Sequence, residues 1–301
     1  MYMQDIDKIQ EITDDVIEKT GNVLEWLNQP KEEARGYLVD LIKKDAEITP
    51  QEKAALIYNS RKFTREYANS KRIYEQAKSH FNPQTKEDMA DDDWLHFFFD
   101  KAEKVSNESM QVIWAKLLAG EFNKQGSISR KLIHIISIMD VHSAKSFQTF
   151  CLYVFERYGL MTAYDTEAVL IPTGFYENSF DFRLKVEEWL KQDRYEDYRD
   201  LAGDITMNAG ELNSLENLGL VQKVPDSKCG IALMYALKNE EINYVVPQND
   251  NEIPLGQYAF TQEGKQLYKI LNKAGDKAVL KVIEQYLLSK DIKFTIQRNI
   301  L

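Results

Sequence analysis

Residues 106–122 read SNESMQVIWAKLLAGEF, and this stretch decides the fold class. Ser106 is placed to cap a helix, because its hydroxyl oxygen can accept from a first-turn N–H that has no partner within the helix. Glu108 suits the positive end of the helix dipole. Met110, Ile113, Trp114, Leu117 and Leu118 recur at helical spacing and form one apolar face. The segment before it carries Trp94, Leu95, Phe97, Phe98, Phe99, Ala102 and Val105. The segment after it, starting near Ser127 or Ser129, carries Leu132, Ile133, Ile135, Ile136 and Met139. Three strongly apolar helices with short connections predict a bundle over 86–160.

The run Trp114-Ala115-Lys116-Leu117-Leu118-Ala119-Gly120-Glu121, followed by Gly126-Ser127-Ile128-Ser129-Arg130, resembles an uncharacterised bacterial family, DUF2806. The resemblance centres on residues 90–155. It implies a mostly helical bacterial cytosolic protein and a candidate role in phage defence. It brings no established activity, so no catalytic residue carries over.

A chain of 301 residues is long enough for two or three domains with sizeable cores. A hydrophobic content of 44% with 29% charged residues fits a folded chain rather than a disordered one. No apolar run is long enough to span a bilayer, and the N-terminal MYMQDIDKIQ lacks the pattern of a signal peptide. Cys151 and Cys229 stand far apart and fit no metal spacing, which predicts buried thiols in a reduced, cytoplasmic protein. The net charge of −10 opposes any global attraction to nucleic acid or anionic lipid, but not a local basic patch.

Residues 1–85 read as a helical hairpin with a long arm. Ile6, Ile9, Ile12, Val16, Val23, Leu24 and Leu27 mark a first helix over 2–27, and a second covers about 31–45. Thr49-Pro50-Gln51-Glu52 is a capping box with proline at the first helical position. The helix it opens meets no proline or glycine before Pro83 and is expected over 50–81, roughly 48 Å long. Leu56, Phe63, Tyr67, Tyr74, Ala77 and Phe81 make a thin packing seam along it. The seam fits a hairpin packed on the first helices, or an arm for self-association.

The same helix carries Lys53, Arg61, Lys62, Arg65, Lys71, Arg72 and Lys78 against Glu52, Glu66 and Glu75, a local excess of +4. Tyr58, Tyr67 and Tyr74 are interleaved with the cations. Cations neutralise phosphates and aromatic faces stack on bases, so these seven residues are the candidate nucleic-acid-binding set. The plainer reading is a solvated face whose arginines pair with acids on a neighbour.

Glu87, Asp88, Asp91, Asp92 and Asp93 form an acidic cluster without the spacing of a calcium loop. Acids at a helix start serve the dipole, and no metal or cofactor is expected. His96, His134 and His142 lack partners at catalytic spacing and read as structural.

Residues 161–272 are expected to form an α+β, winged-helix-like module, after a helix at about 143–158. Ala168 to Pro172 is strand-like, and the charged run 182–200 reads as helix. Asp181, Glu188 and Lys191 would make a nuclease centre only on adjoining strands, which a helix does not offer. A helix over 209–218 ends at Leu218-Gly219-Leu220-Val221. Strand-like runs at 230–235 and 242–246 follow, and Tyr258-Ala259-Phe260-Thr261 leads into a helix over 262–272 through Gly264. The helix over 208–218 would be the recognition helix, but it carries Glu211 and Glu216 and no lysine or arginine. That composition favours a protein partner over DNA. Residues 273–301 are expected to add a helix and a strand near 292–296, whose edge would suit a docking partner.

No phosphate-cradling loop, zinc spacing or nucleophile elbow is present in the sequence. The leading expectation is a non-enzymatic interaction protein that assembles with itself or with another protein. The first alternative is nucleic-acid binding through the basic helix, and the second is a metal-dependent nuclease or hydrolase near Asp91–Asp93.

Overall fold

The computed structural model describes residues 36, 40, 49–82, 90–157, 167–229, 232–236, 240–245, 253–271 and 275–300. The helices expected over 2–27 and 31–45 lie outside them, apart from Gly36 and Asp40, which are helical. The described chain is mainly helical with a smaller β part. It divides after Ile138 into two compact units, so the expected 86–160 segment is shared between them.

The first unit contains α1 (Pro50–Lys78), α2 (Asp92–Ala102), α3 (Glu108–Asn123) and α4 (Arg130–Ile138). The capping box at Thr49 is present: Thr49 N–H donates to Glu52 Oε2 at 2.9 Å, and Thr49 Oγ1 accepts from Glu52 N–H. α1 ends at Lys78, one turn before the expected position 81. Its burial is uneven: no residue before Glu66 is buried, whereas Glu66, Asn69, Ser70, Ile73, Tyr74 and Ala77 are. The C-terminal half packs on α2 and α3, while the N-terminal half leaves that core.

α3 buries Met110, Ile113, Trp114, Leu117 and Leu118, as its spacing requires. Its cap is Asn107, whose Oδ1 accepts from Met110 N–H at 3.1 Å, and not Ser106. The Ser106 hydroxyl instead accepts from Asn69 Nδ2 at 3.1 Å. Asn69 also donates to the Glu103 carbonyl, and Gln111 donates to Asn69 Oδ1 and to the Val105 carbonyl. Asn69 and Gln111 bond to one another and tie α1 to the α2–α3 turn, while the buried Gln111 Oε1 has no partner among the described residues. Trp94 stacks on Phe98, which meets Trp114 edge-on, both at 5.1 Å between ring centres.

The family-like motif acquires a structural reason here. Glu121 is 1% exposed, and its carboxylate accepts from Gly126 N–H at 2.6 Å and Ile128 N–H at 2.9 Å. Gly126 makes the turn at φ +74°. Trp94 Nε1 donates to the Ile128 carbonyl at 2.9 Å. The loop between α3 and α4 is thereby fastened from both sides.

The second unit contains α5 (Val141–Cys151), β1 (Val154–Arg157), β2 (Glu167–Val169), α6 (Gly174–Glu177), α7 (Ser179–Gln192), α8 (Tyr198–Ile205) and α9 (Ala209–Asn217). It continues through β3 (Val221–Cys229), β4 (Ala232–Ala236), β5 (Glu240–Val245), β6 (Ile253–Phe260), α10 (Gln262–Leu271), α11 (Lys277–Ser289) and β7 (Thr295–Ile300). The helix expected over 143–158 stops at Cys151, and Val154 turns into a strand. The cause is remote: β1 pairs antiparallel with β2 and with β4, some eighty residues on. β4 and β5 form the expected ribbon, as the inner strands of a sheet ordered β2-β1-β4-β5-β7. β3 and β6 make a separate antiparallel pair.

Two short motifs interlock next to that pair. α9 ends in a Schellman exit: Gly219 sits at φ +75°, its N–H reaches the Glu216 carbonyl, and Leu220 N–H reaches the Leu215 carbonyl. The Thr261 hydroxyl lies 2.6 Å from the Gly219 carbonyl oxygen and accepts from Gly264 N–H at 3.1 Å. The start of α10 is therefore held on the exit of α9.

Candidate nucleic-acid interface

At about 100° per residue, Tyr58, Arg61, Arg65 and Arg72 fall within roughly 60° of arc on α1. The middle of this line lies roughly 120° around the helix from the mean direction of the buried positions, of which Asn69 comes nearest to it. Tyr58 to Arg72 covers roughly 21 Å along the axis. All three arginines are exposed, and none is in an ion pair among the described residues. Among the described residues, the pairing with acids on a neighbour that a plain solvated face would show does not occur there.

Lys53, Lys71 and Lys78 form a second line about 100° away. Lys53 and Lys71 are exposed. Lys78 is engaged: it pairs with Glu75 at 3.0 Å and lies 4.9 Å from the centre of the Tyr74 ring. Lys62 stands apart from both lines, toward the core side, 3.9 Å from the buried Glu66. The seven candidates thus resolve into an arginine line, a lysine line with one committed member, and one flanking residue.

The tyrosines separate in the same way. Tyr58 is 70% exposed, Tyr67 is half-buried, and Tyr74 is only 5% exposed. The spacing already sets Tyr67 and Tyr74, which belong to the packing seam, about 160–180° around the helix from Tyr58.

The acidic cluster has a structural use. Asp91 caps α2 by accepting from Trp94 N–H at 3.0 Å, and Asp92 and Asp93 occupy the first turn. Arg130 Nη2 lies 3.6 Å from Asp91 and 3.9 Å from Asp93. Glu87 and Asp88 lie outside the described residues. Among the described residues no group of three His, Cys, Asp or Glu is arranged to hold a metal. His96 and His134 sit on exposed positions of their helices rather than in the core. His142 is also exposed, 3.7 Å from Glu211. Cys151 is buried.

In the second unit, Asp181 and Glu188 lie on one helix, α7, with Lys185 between them. They line a cleft of about 670 Å³ together with Trp189, Tyr286 and Lys290. On α9, Glu211 closes a capping box at Asn208 and lies 3.5 Å from Ser146 Oγ on α5. Ser214 meets Ser143 of α5 at 3.5 Å, and Glu216 lies 3.7 Å from Lys223. The polar residues of α9 and its cap that stay exposed are Asn208, the cap, with Asn213 and Asn217.

A family model described as a protein of unknown function, DUF2806, matches residues 58–284. The match extends well beyond the 90–155 stretch that carries the motif, and it begins on α1 at Tyr58. No curated protein and no solved structure matches the chain.

Proposed function

The chain belongs to the DUF2806 family, whose description names no activity, so its role has to be argued from its own surface: we propose that it is a non-enzymatic interaction protein that engages nucleic acid through the outer face of α1. The observation that carries this reading is the line Arg61, Arg65 and Arg72, exposed and without ion pairs among the described residues. Arginines held apart from acids lose nothing when they meet phosphate, and each contact releases counterions. The line begins on the half of α1 that leaves the core, where a strand can approach. The overall charge of −10 sharpens the effect, since the rest of the surface repels phosphate and directs it to this face.

The test is the combined variant Arg61→Glu, Arg65→Glu and Arg72→Glu. Anisotropy with a labelled oligonucleotide at several salt concentrations should show at least a tenfold loss of affinity. The slope of log K against log salt should become shallower by about two to three units. Unchanged affinity and slope in a folded variant would sink the reading.

We also read α9, the β3–β6 pair and α10 as a winged-helix-like module that serves protein contact, with β3–β6 in the place that the sequence reading gave to the 230–235 and 242–246 ribbon, which lies in the other sheet. Support comes from the Schellman exit of α9 and its grip by Thr261. The absence of lysine and arginine from α9 argues against a phosphate-facing recognition helix. Asn213→Ala with Asn217→Ala should leave oligonucleotide affinity within twofold. A tenfold loss would hand nucleic-acid contact to α9 instead.

A further inference from the structure

We infer that the nucleic acid recognised by α1 is single-stranded, with Tyr58 stacking on an unpaired base while Arg61, Arg65 and Arg72 follow the backbone. The inference rests on the nucleic-acid reading above and narrows its partner. Tyr58 is the most exposed of the three tyrosines on α1, at 70%, and it lies on the arginine line. Tyr67 and Tyr74 are drawn toward the packed side and offer no comparable face. Among the described residues no hydrogen bond or ring contact engages this exposed ring, and Arg61 and Arg65 follow it one and two turns along the same side. A duplex rewards the arginines but keeps the faces of its bases inside the stack. A single strand offers both phosphates and open base faces, and stacking on an aromatic side chain tolerates any sequence. Arg61, one turn from Tyr58, can add cation–π contact with the same base.

The measurement compares a labelled oligothymidylate of about 20 nucleotides with a duplex of the same length, using the full chain at fixed salt. The single strand should bind more tightly. Tyr58→Ala should weaken it about tenfold or more and leave duplex affinity unchanged. Tyr58→Phe should retain binding, because stacking needs the ring and not the hydroxyl. Duplex affinity equal to or above that of the single strand overturns the inference, and so does a silent Tyr58→Ala. In those cases the arginine variant still reports separately: if it abolishes duplex binding, α1 remains the interface and only the strandedness is wrong. If neither oligonucleotide binds the parent chain, the nucleic-acid reading falls with the inference. Tyr58 is exposed, so its replacement leaves the core intact.

Discussion

Gly264→Ala should destabilise the second unit by about 3 kcal/mol or more, one of the largest effects expected of a single methyl group in this chain. A Cβ built on Gly264 overlaps the carbonyl oxygen of Leu220, and it also meets the Phe260 ring at 3.0 Å. The obstacle is backbone, so no side-chain rotation relieves it. Separating α10 from Leu220 would also strain the Thr261 contacts to the Gly219 and Leu220 carbonyls. The useful comparison is Gly126→Ala. Gly126 has φ +74° but open space around its Cβ position, so that variant should lose only about 1 kcal/mol through backbone strain. Thermal unfolding followed by circular dichroism separates the two. For a unit of this size the Gly264 variant should melt roughly 6–12 °C lower. A melting point within about 2 °C of the parent would mean that the α9 exit and the α10 start are not in the contact described.

Glu121→Ala should destabilise the first unit by about 3–5 kcal/mol. The carboxylate is the acceptor for Gly126 N–H and Ile128 N–H, and Ile128 is itself buried. Alanine leaves both donors without an acceptor and opens a cavity at the end of α3. Glu121→Gln keeps one acceptor oxygen and the volume, and should lose about half as much. Denaturant unfolding should therefore order the proteins as parent, glutamine variant, alanine variant. An alanine variant within about 1 kcal/mol of the parent would show that solvent satisfies the loop equally well. The result also bears on the family motif. Its Gly-Glu and Gly-Ser-Ile elements here fasten a loop, so loss of stability is the expected phenotype.

What could be read in the chain follows from how local each determinant is. The start of α1 is written in Thr49-Pro50-Gln51-Glu52, because a capping box is closed by residues three apart. The apolar face of α3 is written in the spacing of Met110, Ile113, Trp114, Leu117 and Leu118, and the exit of α9 in Leu218-Gly219-Leu220. The β4–β5 ribbon was legible for the same reason, since its two strands are neighbours in sequence. The cap of α3 was not. Ser106 and Asn107 both suit it, and Asn69, thirty-seven residues away, takes the serine as a hydrogen-bond partner.

By itself, then, the sequence determined a mainly helical chain, most of its helix starts, and a basic helix on an acidic protein. Only the tertiary structure decided that Val154 begins a strand, because that strand is held between β2 and β4, and its β4 partners Met234 and Leu233 lie far along the chain from Glu156 and Arg157. It also decided which cations on α1 face outward. Spacing along a helix says which residues share a side, whereas the direction of that side depends on where the neighbouring helices bury Ile73, Tyr74 and Ala77.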